Sequence, residues 1–146
     1  LNFKARLNPK TLTKYITHKG PCIEVVRFRQ KKKGIKFLGD LCSDFGVNIK
    51  FITGPKKKFK KLNLNNLKTN LKNNKGLNIK GNTNTVYINP LNSLKFVLNK
   101  IRKEKVKLEK DFYVFTGSTV GVVPIKNKGE YIGKVDKIGS VRTTIN

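Results

Sequence analysis

The sequence predicts an α+β fold with short strands and one main amphipathic helix. Three observations carry this expectation. "NPLNSLKFVLNKIRK" sets Leu91, Leu94, Val97, Leu98 and Ile101 at helical spacing, behind Asn89 as cap and Pro90 at the first helical position. Most other apolar runs are too short for helices and are bounded by Gly, Pro or Asn, as strands are. A length of 146 residues fits one domain, and 37% hydrophobic content suffices for one core.

Each element has its local reason. Residues 1–19 read as a basic N-terminal extension, in which "NPKTLTKYI" starts a short helix with Asn8 as cap. Residues 20–146 read as the main domain. "GP" at 20–21 marks a turn. "CIEVVRF" at 22–28 alternates too little for a half-exposed strand and reads as buried, despite Glu24 in its middle. "QKKKG" is a solvated loop. A short helix or irregular turn near 36–43 leads to a strand at 48–53, which stops at Gly54-Pro55. "NNLKTNL" and "LNIKG" form a hairpin, with Gly76 supplying the positive φ. "VYI" at 86–88 extends the sheet. After the main helix, "DFYVFTGS" and "VVPI" read as strands, and "YIGKVDKIGSVRTTI" as strand, turn and strand.

The charge points to a partner. Lys and Arg number 33 against 8 Asp and Glu, a formal net charge of +25. Such a chain repels itself and is expected against a polyanion. Drift in AT-rich coding sequence accounts for frequent Lys and Asn but not for scarce acids. Nucleic acid is the first expectation and an anionic lipid surface the second, with no run long and apolar enough to span a bilayer. No stretch reads as a signal peptide, and since the chain starts at Leu1 and has no Met, its true start is expected either to have been removed, as with a targeting segment, or to lie outside this sequence. The cations form three clusters: Lys31, Lys32 and Lys33; Lys56, Lys57, Lys58, Lys60 and Lys61; and Lys95, Arg102 and Lys103 on the helix. Any one of them alone reads as a solvated face. Together they suit phosphate contacts that carry little sequence information. Phe59, inside the second cluster, either packs down or stacks on a base.

Catalytic groups are sparse. His18 is the single histidine, so a His pair is excluded. Cys22-x-Glu24 and Cys42-x-Asp44 share a spacing, but a zinc site would ask for close Cys-x-x-Cys pairs or histidines. "TGSTVG" offers backbone N–H groups in a glycine turn, which is ordinarily just a turn.

Three blocks carry a family likeness: "CIEVVRFR", "FLGDLCSDFGVNIKFITGP", and the stretch from "GLNIKGNTNTVYINPLNSLKFVLNKI" through "LEKDFYVFTGSTVGVVPIKNKGEYIGKVDKIGSVRTTI". In order and spacing they resemble the C-terminal half of the fumarylacetoacetate hydrolase superfamily, in its 2-keto-4-pentenoate hydratase and decarboxylase branch. The resemblance implies a partial mixed β-roll with one main amphipathic helix. It also implies a magnesium site of a Glu-x-Glu pair plus a third acid, which falls on Glu24. Arg29, Asp44 and the turn Thr116, Gly117 and Ser118 complete the vestige. The departures are specific. No Glu-x-Glu occurs in the chain, Arg27 stands where the family places an acid, and Ser43-Asp44-Phe45 lacks the family's Asn. Glu24 is then expected as an acid ion-paired with Arg29 or a lysine, with no metal, cofactor or catalytic residue retained. A non-catalytic subunit of a ribosome is expected, mitochondrial because such assemblies recruit enzyme folds. Its partners would be ribosomal RNA and neighbouring chains that cover exposed sheet edges, with no small-molecule substrate. Half of a split magnesium-dependent 2-keto acid hydratase or hydrolase, completed by a second chain, is the alternative. An accessory subunit of a mitochondrial membrane complex is the third reading.

Overall fold

The computed structural model of the chain describes residues 7–29, 37–108 and 111–146. The chain starts with α1 (Pro9–Leu12), running into a 3-10 turn at Thr13–Tyr15, then β1 (His18–Lys19) and β2 (Cys22–Val26). Asn8 caps α1 reciprocally: its Oδ1 accepts from the Thr11 N–H at 3.0 Å, while its own N–H donates to Thr11 Oγ1 at 2.9 Å. Next come α2 (Leu38–Ser43), β3 (Asn48–Thr53) and β4 (Lys57–Lys58). Asp40 reaches back from α2 to accept the Phe37 N–H at 3.2 Å, which satisfies an orphan donor at the helix start.

The hairpin β5 (Lys68–Asn73) and β6 (Asn78–Asn82) follows, as the alternating pattern predicts. Its turn is held by Asn73 Oδ1, which accepts from the Lys75 and Leu77 N–H groups, and Gly76 adopts φ +90°. The main helix α3 (Pro90–Lys103) has Asn89 as its cap, accepting the Leu91 N–H at 2.9 Å. The chain closes with β7 (Gly129–Val135) and β8 (Gly139–Ile145).

The strands form three antiparallel sheets: β1 with β4, β2 with β3, and a four-stranded sheet in the order β6-β5-β7-β8. The architecture is α+β with one main helix. Among the described residues no parallel ladder occurs, as the mixed part of a mixed β-roll would need.

Leu7, Leu12 and Leu98 form one buried cluster, joined by Leu91, Leu94 and Ile101, so residues 7–12 lie against the apolar face of α3. Leu67, Val86, Tyr131, Ile138 and Val141 are buried as well. The β2–β3 ribbon meets the large sheet where side chains are absent. A Cβ at Gly133 would stand 3.0 Å from Ile23 Cγ1, and one at Gly54 would stand 2.8 Å from the Ser140 carbonyl oxygen. Among the described residues no helix is long and apolar enough to cross a membrane.

Four expectations are corrected. β2 ends at Val26, and its exposure alternates, with Cys22 and Glu24 outward and Ile23 inward. It is half-exposed because only one face of the β2–β3 ribbon meets the large sheet. "VYI" does not extend the sheet. Val86 donates to the Thr83 carbonyl in a 3-10 turn, and Tyr87 and Ile88 take φ of 48° and 68° as the chain turns into α3. "DFYVFTGS" makes no ladder: it is tied to β3 by Phe115, which stacks flat on Phe51, and not by strand pairing. "VVPI" is likewise irregular, with no strand between Val122 and Ile125; Pro124 has no N–H to give a ladder.

Candidate nucleic-acid interface

The second cation cluster is positioned by β4. Register places Lys19 opposite Lys57 and His18 opposite Lys58. The Phe59 N–H donates to the Thr17 carbonyl at 2.8 Å and prolongs the ribbon by one bond. Lys56, Lys57, Lys58, Lys60 and Lys61 are all exposed. Among the described residues, ion pairs join Arg29 to Asp44, Lys100 to Glu104, Lys134 to Asp136 and Arg142 to Glu130. None reaches the 56–61 run. Like charges directly opposite on two strands oppose pairing. The ribbon therefore gathers cations that no acid among the described residues pairs with.

Phe59 is half-buried, with the Lys19 ammonium 5.1 Å from its ring centroid, so one ring face already has a cation on it. The other aromatic contact of the run was not read from the sequence. Lys56 Nζ lies 4.8 Å from the centroid of Tyr113, whose ring is near-parallel to Phe115. The signal was present: Tyr113 and Phe115 are two apart in an extended run, which sets both on one side. Phe51, the ring beneath Phe115, had no sequence signal as their partner.

The helix cluster has a competing local role. Lys95, Arg102 and Lys103 are exposed. Lys100, Arg102 and Lys103 occupy the last turn of α3, where cations favourably meet the helix dipole. Arg102 also donates to Asn99 Oδ1 at 3.2 Å. Lys31, Lys32 and Lys33 lie outside the described residues.

The residues that the family likeness singled out form two separate arrangements. Around Asp44 they do come together. Arg29 donates from its backbone N–H to Asp44 Oδ2 at 3.1 Å, and its Nη1 pairs with Oδ1 and also reaches the Asp44 carbonyl at 3.0 Å. Its Nη2 donates to the Asn48 carbonyl, and the Asn48 side-chain amide donates to Glu24 Oε1 at 2.7 Å. The Asp44 side chain is 6% exposed. The Arg29 guanidinium and N–H hold its carboxyl below the usual aspartate range, against the opposing effect of desolvation. The expected Glu24–Arg29 ion pair is therefore corrected. Arg29 is committed to Asp44, and exposed Glu24 is held by an amide.

Thr116, Gly117 and Ser118 are engaged elsewhere. Ser93 Oγ on α3 donates to the Thr116 carbonyl at 2.9 Å, and Gly117, at φ +129°, has Val86 close against it. Ser118 Oγ closes its own turn, donating to the Gly121 carbonyl and accepting the Val120 N–H. The turn is thus anchored to α3 and to itself.

Magnesium prefers near-octahedral oxygen ligands, with carboxylates among them. One Glu24 oxygen is taken by Asn48, and both Asp44 oxygens face Arg29. Among the described residues no group of three or more His, Cys, Asp or Glu side chains is placed to hold a metal ion. The residues present do not fit the ion. Both cysteines are free, and desolvation pushes the Cys22 thiol up, with the Glu24 charge adding to the shift and the Ile52 backbone opposing it. Compared with protein-family models and with curated protein sequences, the chain matches none of either.

Proposed function

We propose that the chain is a non-catalytic structural subunit of a ribosome, in the mitochondrion, that binds ribosomal RNA through phosphate contacts. The observation that carries the reading is the β1–β4 ribbon: opposed cations, extended by an exposed lysine run, with no carboxylate paired to the run among the described residues. A polyanion laid along it relieves the repulsion and supplies the missing counter-charge. Lysine contacts of this kind position a subunit on RNA without reading bases. We further propose that the fold descends from the C-terminal half of a fumarylacetoacetate hydrolase-like β-roll that lost its metal. The absent Glu-x-Glu pair, Arg27, and the engagement of Glu24 by Asn48 support the loss. Exposed apolar side chains such as Phe45 and Leu38 mark where neighbouring protein chains would cover the surface.

Sedimentation of the native protein tests the reading. Expected is co-migration with a ribosomal particle, released by high salt or ribonuclease. Co-migration with a partner polypeptide bearing a Glu-x-Glu strand, with metal-dependent turnover of 2-keto acids, would replace it with the split-enzyme reading.

A further inference from the structure

We infer that Tyr113, Phe115 and Phe51 form a stacking platform for unpaired RNA bases, continuous with the phosphate-contacting lysines. This rests on the RNA reading above and names the kind of RNA that this side of the protein takes. Phe51 and Phe115 lie face to face, with centroids 3.6 Å apart and planes within 1°. Tyr113 continues the ladder at 6.1 Å and 10°. The rings are not sealed in a core: Tyr113 is 57% and Phe115 39% exposed.

The ladder is physically joined to the charge run. β3 carries Phe51, ends at Thr53, and passes through Gly54-Pro55 directly into Lys56. Lys56 Nζ then sits over Tyr113. A base has the same flat apolar face as these rings and stacks on them whatever its identity. On binding, a base would take the Tyr113 face and Lys56 would turn to the adjoining phosphate, with Lys57, Lys58, Lys60 and Lys61 next along the strand. The acids nearest by sequence and register are Asp111 and Glu24. They are outnumbered by those five lysines. A duplex presents stacked bases and no free faces, so the platform selects single strands, loops or bulges.

The test uses the full chain, a labelled oligouridine and a blunt RNA duplex of equal length. Tyr113→Leu should weaken oligouridine binding by roughly fivefold or more and leave duplex binding and the salt slope unchanged, because the substitution removes a stacking face and leaves every phosphate pairing in place. Tyr113→Phe should keep full affinity while abolishing the oligouridine-quenched part of the tyrosine emission, a readout that a merely structural role would not move. Equal weakening on both RNAs, or weakening on neither, overturns the platform. If oligouridine affinity is unmoved in Tyr113→Leu while the wild type binds both RNAs, the platform alone falls and the ladder serves another partner, such as protein. If the wild type binds neither RNA, the RNA reading falls and takes the platform with it.

Discussion

Asp44 and Arg29 tie the end of β2 to the start of β3. One guanidinium spans the Asp44 carboxylate, the Asp44 carbonyl and the Asn48 carbonyl, and the Arg29 N–H adds a fourth bond. Because the folded-state pKa of Asp44 is depressed, the pairing contributes stability above the unfolded value of about 3.9 and loses it as pH falls through the lower folded value. Asp44→Asn should therefore lower the melting temperature at neutral pH and blunt its fall in acid, as followed by circular dichroism. An acid limb as steep as that of the wild type would assign acid sensitivity to other carboxylates. Glu24 behaves differently. Exposed and held by one amide, it should tolerate Glu24→Gln within about 0.5 kcal/mol of stability, as surface substitutions do. A large loss there would mean that Glu24 is still needed for something the Asn48 contact does not explain.

At the scale of elements, α3 carries the local rules most openly. Leu98, 2% exposed, seats the helix on Leu7 and Leu12, and Leu98→Ala should cost about 2–5 kcal/mol in denaturant unfolding. Removing the cap in Asn89→Ala should cost about 1 kcal/mol. The apolar face and cap of α3, the β5–β6 hairpin and the β7–β8 pair were legible because each is set by neighbours in the chain: a period, a cap, a glycine turn. The seat of Leu98 on Leu7 and Leu12 was not, because it joins distant segments. What was not legible depends on distant partners. "DFYVFTGS" has strand composition, yet it joins no ladder, and its tie to β3 is the stacking of Phe115 on the distant Phe51. "VYI" has strand residues, but the turn into α3 claims their backbone. Arg29 and Asp44 were picked out by the family pattern, but nothing in the spacing showed that they pair with each other and leave Glu24 to Asn48. The lysine run was readable as charge. Its opposition to Lys19 was not, because a two-residue strand has no periodicity to read.

For the whole molecule, a formal net charge of +25 couples folding to the binding of RNA under the proposed function. The free chain should melt at low temperature in low salt and gain stability as salt screens its repulsion. RNA should stabilise it further, by about 2.7 kcal/mol at a hundredfold excess over the dissociation constant. A sharp transition insensitive to both would show that the repulsion is already balanced within the fold. The most direct measurement is RNA affinity across a salt series, comparing the wild type with a variant in which Lys56, Lys57, Lys58, Lys60 and Lys61 are all Gln. If the β1–β4 ribbon lies on phosphates, the slope of log affinity against log salt should become shallower by roughly 0.7–0.9 for each lysine–phosphate pairing removed, with all RNA sequences weakened alike. An unchanged slope would show that the lysines are only solvated, and weakening on one sequence alone would show that they read bases, contradicting a scaffold held by phosphates.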